Sequence, residues 1–247
     1  MNGEFVQNLW SDFLDHVFPR DVHCAACDIS LGEPYPYNLC PECSEAIQVV
    51  HGTVCRCCGR YIGPSAGADR CLHCLRDSVF LDGGVTYAHY QGGALELVHR
   101  LKYSKRPWLV HSMAEQMLPA VEQLVEREEI DTIIPVPVHP QRLTERGYNQ
   151  AEQIGNHLSE WIGISMEPHG LIRQSDTLPQ NQLSGSERIQ NVRHAFVASE
   201  AVCLKGLRVL LIDDVLTTGS TINACARVLK ANGVSQVFSA VYAAVAD

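Results

Sequence analysis

The stretch Val209-Leu-Leu-Ile-Asp-Asp-Val-Leu-Thr-Thr-Gly-Ser-Thr221 decides the fold that we predict for this chain. It opens with four aliphatic residues, a run typical of a strand that is buried on both faces. Two carboxylates, Asp213 and Asp214, follow at the strand's end, and a loop of small residues comes next. From Ile222 onward, apolar residues recur at helical spacing until Gly233, which favours a helix directly after the loop. The order of strand, acidic pair, loop and helix predicts an α/β fold.

The loop after the acidic pair has the chemistry of a phosphate site. Its residues are Thr217, Thr218, Gly219, Ser220 and Thr221. Backbone N–H groups and hydroxyls at a helix N-terminus bind a dianionic phosphate, and the two carboxylates can accept hydrogen bonds from adjacent sugar hydroxyls. Ligands of open α/β sheets bind at the carboxyl ends of the strands. The stretch therefore predicts a sugar-phosphate site, with an ordinary strand-turn-helix as the alternative.

Composition narrows the classes of protein to consider. The formal net charge of −9 argues against a globally basic surface for nucleic acid. No apolar run approaches the roughly 18 residues that indicate a membrane span. The N-terminus lacks the basic start of a signal peptide, so we expect a cytoplasmic protein.

The chain divides into three predicted parts. Residues 1–19 carry apolar side chains at spacings of three and four, which predicts an amphipathic helix. Its polar face is acidic, so docking on the same protein is a better interpretation than membrane binding. Residues 20–80 are rich in cysteine, and residues 81–247 form the predicted α/β domain.

Nine of the eleven cysteines lie between positions 24 and 74, and eight of them repeat the pattern C-x2-C-x12-C-x2-C twice. In a reducing compartment such spacing indicates zinc rather than disulfides. The simplest assignment gives two four-thiolate zinc sites, on Cys24, Cys27, Cys40 and Cys43 and on Cys55, Cys58, Cys71 and Cys74. Alternate pairing of the C-x2-C turns stays open. Four-thiolate sites leave no open position, so the zinc is expected to be structural, and Cys57 is expected to be a free thiol.

Further motifs follow in the third part. A helix over residues 94–102 leads into the basic cluster Arg100, Lys102, Lys105 and Arg106, which is either a solvated helix end or a group of cations for pyrophosphate or nucleic acid. A strand is predicted over 131–138, and residues 142–149 are expected to form a loop that carries Arg142 and Arg146. The polar stretch 171–198, with Arg173, Gln182, Arg188 and Asn191, is interpreted as a lid or as a mobile surface loop.

Together these features resemble the ComF family of phosphoribosyltransferase-like proteins, which includes competence proteins and proteins named GntX. The resemblance is carried by the paired C-x2-C turns, Ile134-Pro-Val-Pro137, Arg146-Gly-Tyr-Asn-Gln-Ala151, residues 182–191, and the stretch 209–221. The last of these is similar to the 5-phosphoribosyl-1-diphosphate (PRPP) signature of type I phosphoribosyltransferases. The family implies a double zinc ribbon before a type I phosphoribosyltransferase-like domain with a mainly parallel sheet. It also implies a role in natural transformation, in which incoming single-stranded DNA is handled with DNA-uptake proteins on the cytoplasmic side.

The resemblance also implies roles for residues. Asp213 and Asp214 would hold the ribose hydroxyls in a transfer reaction, and residues 217–221 would hold the 5-phosphate. Residues 136–139, with Lys102, Arg142 and Arg146, would contact pyrophosphate, and Mg²⁺ would bind with PRPP.

Two classes of function compete. One is a phosphoribosyltransferase that joins a nitrogen base to ribose, and the other is a non-catalytic adaptor or regulator that binds a nucleotide or single-stranded DNA at the same phosphate site. After Thr221 the sequence has no aromatic or carboxylate residue that clearly selects a base, which favours the second class.

Overall fold

A computed structural model of the chain describes residues 23–32, 35–63, 69–76, 78–103, 106, 108–174 and 195–246. The helix predicted within residues 1–19 lies outside these ranges, as do Lys105, Gln182, Arg188 and Asn191. Within the described ranges, every helix is too short or too polar to cross a membrane.

A five-stranded sheet forms the centre of the molecule, and all of its strand pairs are parallel. Its order is β3-β2-β6-β7-β1, and a separate antiparallel pair joins β4 to β5. The strands are β1 (Gly83–His89), β2 (Thr132–Pro135), β3 (Ser165–Met166), β4 (Leu171–Arg173), β5 (Phe196–Ala198), β6 (Arg208–Leu216) and β7 (Gln236–Ala244). This parallel sheet, with its intervening helices, confirms the predicted α/β class with a mainly parallel sheet. The aliphatic run of the opening stretch is the buried first half of β6.

Helices cover both faces of this sheet. They are α1 (Pro41–Glu45), α2 (Leu72–Arg76), α3 (Gly92–Tyr103), α4 (Leu109–Glu128), α5 (Pro140–Arg146), α6 (Gln150–Ile162) and α7 (Ser220–Ala231), with a 3₁₀ turn at Pro36–Asn38. Helices α4 and α6 pack on one face and α7 on the other. Two layers of apolar side chains result, one on each side of the sheet.

Helix α5 corrects one prediction. Residues 142–149 were expected to form a loop, but Arg142 and Arg146 lie on a helix that begins at Pro140. Proline suits the first helical turn, where its missing N–H has no partner to lose. The Nδ1 atom of His139 accepts a hydrogen bond from the Gln141 N–H at 3.2 Å, and Gly147 ends the helix with a φ of 84°. These are ordinary start and stop signals, and they are present in the sequence.

The cysteine-rich segment docks against β1, the edge strand of the sheet. Val49 forms an antiparallel bridge with Ala88, and hydrogen bonds of 2.8 Å join Val50 to Tyr87 and His89 to Gln48. The first half of the segment joins the core on the side of α4 and α6, whereas the second half joins the core on the side of α7. The segment therefore straddles the edge of the sheet.

Candidate functional site

A cleft of about 340 Å³ opens at the carboxyl ends of β2 and β6. This is the edge at which open α/β sheets bind their ligands. The side chains that line it are mostly polar or charged. They lie at or just beyond the ends of strands β1, β2, β4 and β6 and on helices α3, α5, α6 and α7. They include Lys102, Arg142, Arg146, Asn149, Gln150, Arg173, Asp213, Asp214, Thr217 and Thr221, with Tyr90 and residues 136–139.

The two carboxylates of the acidic pair lie on opposite sides of β6, because successive side chains of a strand alternate. Asp214 is 7% exposed, and its Oδ2 atom lies 2.8 Å from the Nζ atom of Lys102 on α3. Asp213 is half-buried, and its Oδ1 atom accepts a hydrogen bond of 2.9 Å from the Asp214 N–H. Burial and the neighbouring Asp214 carboxylate raise the pKa of Asp213 to about 8, although Lys102 acts in the opposite direction. Asp213 therefore keeps its proton at neutral pH in the ligand-free protein.

The loop between β6 and α7 is shaped by one glycine. Gly219 precedes the helix with a φ of 82°, a left-handed conformation that glycine adopts at little cost. It has no side chain to cap the helix, so the amides of the first turn can face an anion. The Thr218 and Ser220 hydroxyl oxygens lie 2.9 Å apart, and the Ser220 N–H donates to Thr218 Oγ1 at 3.3 Å.

The residues predicted to bind phosphate line two adjoining hollows. Thr217 and Thr221 line the large cleft. Thr218, Gly219 and Ser220 line a smaller hollow that extends from Asp213 to Ile222 and also includes Thr217 and Thr221. The structure thus places the loop directly beside the acidic pair.

Four cations line the cleft together with the acidic pair: Lys102, Arg142, Arg146 and Arg173. Burial lowers the pKa of Arg173, and the nearby Arg142 lowers it further. One nitrogen of Arg146 donates to Gln150 Oε1 at 3.2 Å, and its guanidinium lies 5.7 Å from the centre of the Tyr103 ring. Such a group of cations suits an anion with several phosphate oxygens.

Two amide side chains in the cleft were not assigned from the sequence. Asn149 donates to the Val136 carbonyl at 3.1 Å and accepts from the Ala151 N–H at 3.1 Å, so it caps α6 and holds the segment after β2. Gln150 is 4% exposed, and its Nε2 atom has no hydrogen-bond partner among the described residues. Both belong to the run Arg146-Gly-Tyr-Asn-Gln-Ala151, which carries part of the family resemblance but was not predicted to line the site through its amides.

The cysteines form two separate groups of four, Cys24, Cys27, Cys40 and Cys43 and Cys55, Cys58, Cys71 and Cys74. In each group the sulfur atoms all lie within 4.8 Å of one another, with separations of 3.7 Å for Cys27 and Cys40 and 3.8 Å for Cys58 and Cys71. A tetrahedron with Zn–S bonds of about 2.3 Å has sulfur separations of roughly 3.8 Å. The groups therefore fit two structural zinc sites in the simplest predicted pairing, and the alternate pairing is excluded. Cys57 belongs to neither group.

Comparisons with known proteins agree with this architecture. Residues 13–75 match the model of the double zinc ribbon domain, and residues 151–247 match that of the phosphoribosyl transferase domain. We call the segments around the two cysteine groups the first ribbon (residues 23–50) and the second ribbon (residues 51–76).

Curated relatives cover most of the chain. Competence protein F of Haemophilus influenzae is 32% identical over 81% of this chain and 87% of its own length. DNA utilization protein YhgH of Salmonella typhi is 30% identical over 87% of this chain and 93% of its own length. Competence protein ComFC of Bacillus subtilis is 24% identical over 85% of this chain and 89% of its own length.

Among solved structures, glutamine PRPP amidotransferase from B. subtilis, complexed with ADP and GMP, is similar to this chain with a TM-score of 0.37 and 22% identity. The match covers 57% of this chain and 30% of the amidotransferase, so the chain spans less than a third of that enzyme.

Proposed function

This chain belongs to the ComF family of competence proteins, and from that premise we propose that its cleft binds PRPP with Mg²⁺ in the course of DNA uptake, on the cytoplasmic side of the membrane. The observation that carries the proposal is the set of complementary groups that the cleft brings together. An acidic pair, a hydroxyl-rich loop and four cations line the same cleft and its adjoining hollow, and one of the cations, Lys102, pairs with Asp214. PRPP has the matching groups: a 5-phosphate, a vicinal diol and a pyrophosphate.

Each part of the ligand is assigned by its chemistry. The 5-phosphate binds at residues 217–221, where helix α7 begins and its dipole favours an anion. The ribose hydroxyls donate to Asp213 and Asp214. The pyrophosphate faces Lys102, Arg142 and Arg146, and residues 136–139 approach it from the end of β2.

The donor set also fits Mg²⁺, which proteins usually hold through one or two carboxylates and the oxygens of a bound phosphate. Asp213 and Asp214 are the carboxylates that line the cleft among the described residues. When bound, the ion supplies positive charge beside the pyrophosphate.

A transferase reaction at this site would break the bond between ribose C1 and the pyrophosphate oxygen and form a bond from C1 to a base nitrogen, which loses its proton. The residues of the cleft would position the ribose and neutralise the leaving pyrophosphate, without a covalent nucleophile. A pyrophosphate-release assay with a panel of bases tests this step. Release with one base supports catalysis, and no release across the panel favours a binding protein.

Calorimetric titration with PRPP and Mg²⁺ tests the binding site itself. We expect Asp213→Asn/Asp214→Asn to lose at least tenfold in affinity, because amides accept hydrogen bonds less strongly than carboxylates. The matched control is Glu96→Gln, an exposed carboxylate on α3 that pairs with Arg100. The proposal is wrong if the wild type does not bind, or if the double variant binds as tightly as the control.

A second candidate function, the binding of single-stranded DNA, is favoured by a neighbouring hollow of about 260 Å³. It shares Lys102, Arg142 and Arg146 with the cleft, and Tyr103 on its wall is 66% exposed. Cations beside an exposed ring are typical of surfaces on which single-stranded bases stack.

The DNA-binding role is tested by titration of an oligonucleotide at two salt concentrations. Tyr103→Ala should weaken binding by about tenfold, since the loss of one stacked base costs roughly 1–3 kcal/mol. Trp108→Ala is the matched control, because Trp108 is 58% exposed and lies outside the hollow. Equal effects of the two substitutions would contradict a specific stacking role for Tyr103.

A further inference from the structure

The second ribbon reaches the phosphate loop through a single buried arginine. Arg60 directly follows the turn that contains Cys58, and it is 1% exposed. Its Nη2 atom donates to the carbonyl of Thr217, the first residue of the phosphate loop. Its Nη1 atom donates at 2.9 Å to the carbonyl of Val245, just beyond β7. One guanidinium therefore joins the zinc ribbon to the ends of β6 and β7.

The position of Arg60 is tightly defined by its own turn. The Arg60 carbonyl accepts from the Cys55 N–H at 2.7 Å, and the Gly59 N–H donates to the Cys55 carbonyl at 2.8 Å. A Cβ atom at Gly59 would lie 2.7 Å from the Gly84 carbonyl oxygen, so the turn sits directly against strand β1. The turn thus holds the backbone of Arg60 close to β1, and the two carbonyls hold its guanidinium.

The charge of Arg60 is the unusual feature. Within the part of the chain that the structure describes, no carboxylate forms an ion pair with it, and its Nε atom has no hydrogen-bond partner. The loop that it contacts is the one to which the proposed function assigns the dianionic 5-phosphate. A phosphate bound there would lie on the same loop whose backbone this buried cation holds.

Peptide geometry explains how Arg60 can act on that phosphate without touching it. In a trans peptide unit the carbonyl and the following N–H point in opposite directions, and the described residues contain no cis bonds. By holding the Thr217 carbonyl, Arg60 turns the Thr218 N–H away from the ribbon. It also polarises that peptide unit, which strengthens the N–H as a donor.

A second contact ties helix α7 to the segment that follows the second ribbon. The Asn223 side chain, on the first turns of α7, accepts from the Phe80 N–H and donates to the Ser78 carbonyl, both at 2.8 Å. The segment after the second ribbon is therefore fixed to the helix whose N-terminus faces the phosphate site. Loop and helix are both anchored to the ribbon side of the molecule.

We infer that Arg60 is a positioning residue of the phosphate site, through which the second ribbon sets the affinity of the cleft for a phosphorylated sugar. This inference rests on the proposed function, because it concerns the same loop. It gives the second ribbon a role in ligand binding in addition to its role in stability.

The test compares Arg60→Met with Arg56→Met in the full-length, zinc-loaded protein. Arg56 lies on the same ribbon but is exposed, where it pairs with Asp69. Each variant is titrated with PRPP and Mg²⁺, with ribose 5-phosphate, and with inorganic pyrophosphate. We expect Arg60→Met to bind PRPP and ribose 5-phosphate at least tenfold more weakly and pyrophosphate within twofold of the wild type. Arg56→Met should match the wild type for all three ligands.

The pyrophosphate titration separates positioning from general damage, since a merely destabilised protein would lose affinity for all three ligands. Equal losses for all three, or PRPP binding within twofold of the wild type, would overturn the inference. If the wild type itself fails to bind PRPP, the proposed function fails first. If Arg60→Met does not fold, the same titrations are made with Arg60→Lys. Weaker PRPP binding at an unchanged melting temperature and zinc content supports the inference, and unchanged binding overturns it.

Discussion

At the scale of single residues, the chemistry of the cleft depends on two adjacent carboxylates in different surroundings. Asp214 is paired with Lys102, whereas Asp213 is half-buried and adjacent in the chain to the Asp214 carboxylate. Two acidic groups so close together favour one proton between them. Asp213 keeps that proton, because the cation lies on the side of Asp214. Both residues were singled out from the sequence, but the proton on Asp213 depends on where Lys102 lies in the fold.

The raised pKa of Asp213 predicts a particular dependence of stability on pH. The folded protein keeps this proton up to a pH of about 8, whereas an unfolded Asp loses it near pH 4. The folded state thus binds more protons in this window, so this group lowers the free energy of unfolding as the pH rises toward 8. Asp213→Asn removes this pH-dependent decrease in the free energy of unfolding. The difference in free energy of unfolding between variant and wild type should grow in favour of the variant by roughly 2 kcal/mol from pH 6 to 8 and level off above about pH 9.

Urea unfolding at a series of pH values measures this difference. The control is Asp69→Asn, an exposed carboxylate on the second ribbon, which should change stability by the same small amount at every pH. A difference for Asp213→Asn that stays constant from pH 6 to 9 would contradict the protonated state.

The ion pair between Lys102 and Asp214 is predicted to be strongly coupled, since the Asp214 side chain is only 9% exposed. Either Lys102→Met or Asp214→Asn leaves one buried group without its partner, and the double variant removes both charges. A double-mutant cycle in urea should give a coupling energy of about 1–3 kcal/mol. The exposed pair of Glu96 and Arg100 is the comparison, with less than about 0.5 kcal/mol expected. Coupling energies of equal size would show that burial of Asp214 does not strengthen its ion pair with Lys102.

At the scale of elements, the sequence predicts those strands and helices whose defining residues are close together in the chain. The aliphatic run, the acidic pair and the glycine-containing loop give strand β6, the cleft wall and the start of α7 because their signals are adjacent in the chain. Helix α5 was predicted as a loop, although Pro140 and Gly147 mark its ends. With 7 residues it is too short for a recurring apolar pattern to indicate a helix. The contact from Arg60 to Thr217 joins residues 157 positions apart, and no local pattern announces it.

The approach of the second ribbon to β1 can be tested at two glycines. Both have left-handed backbone, with φ values of 71° at Gly59 and 76° at Gly63. A Cβ atom would meet the β1 backbone at 2.7 Å at Gly59 but nothing within 4 Å at Gly63. Gly63→Ala should therefore cost about 1 kcal/mol of backbone strain. Gly59→Ala should cost at least about 3 kcal/mol, because backbone atoms must also move apart.

Thermal or urea unfolding of the two variants gives the comparison directly. Similar costs at the two positions would mean that the ribbon is not packed against β1 as closely as described.

At the scale of the whole molecule, the two ribbons extend the hydrophobic layers on both sides of the sheet. Cys24 and Leu39 belong to the layer beneath α4 and α6, and Cys55 and Cys71 belong to the layer beneath α7. Repeated spacing was enough to predict both metal groups, because four thiolates at C-x2-C turns satisfy one ion. The sequence alone could not place the ribbons on the edge strand, since that placement depends on long-range packing.

Metal content provides a matched test of the cysteine assignment. We predict two zinc ions per chain by elemental analysis. Cys58→Ser should lower the content to about one and reduce the melting temperature, because structural zinc contributes directly to folding. The adjacent Cys57→Ser should retain both ions, since Cys57 lies outside the groups. Loss of zinc from Cys57→Ser, or its retention in Cys58→Ser, would contradict the assignment.

A crystal structure of the complex with PRPP and Mg²⁺ tests the central claim most directly. The account predicts the 5-phosphate within hydrogen-bond distance of the amides of residues 218–221, the ribose hydroxyls on Asp213 and Asp214, and the pyrophosphate beside Arg142 and Arg146. Ligand bound elsewhere, with the loop between β6 and α7 empty, would contradict it.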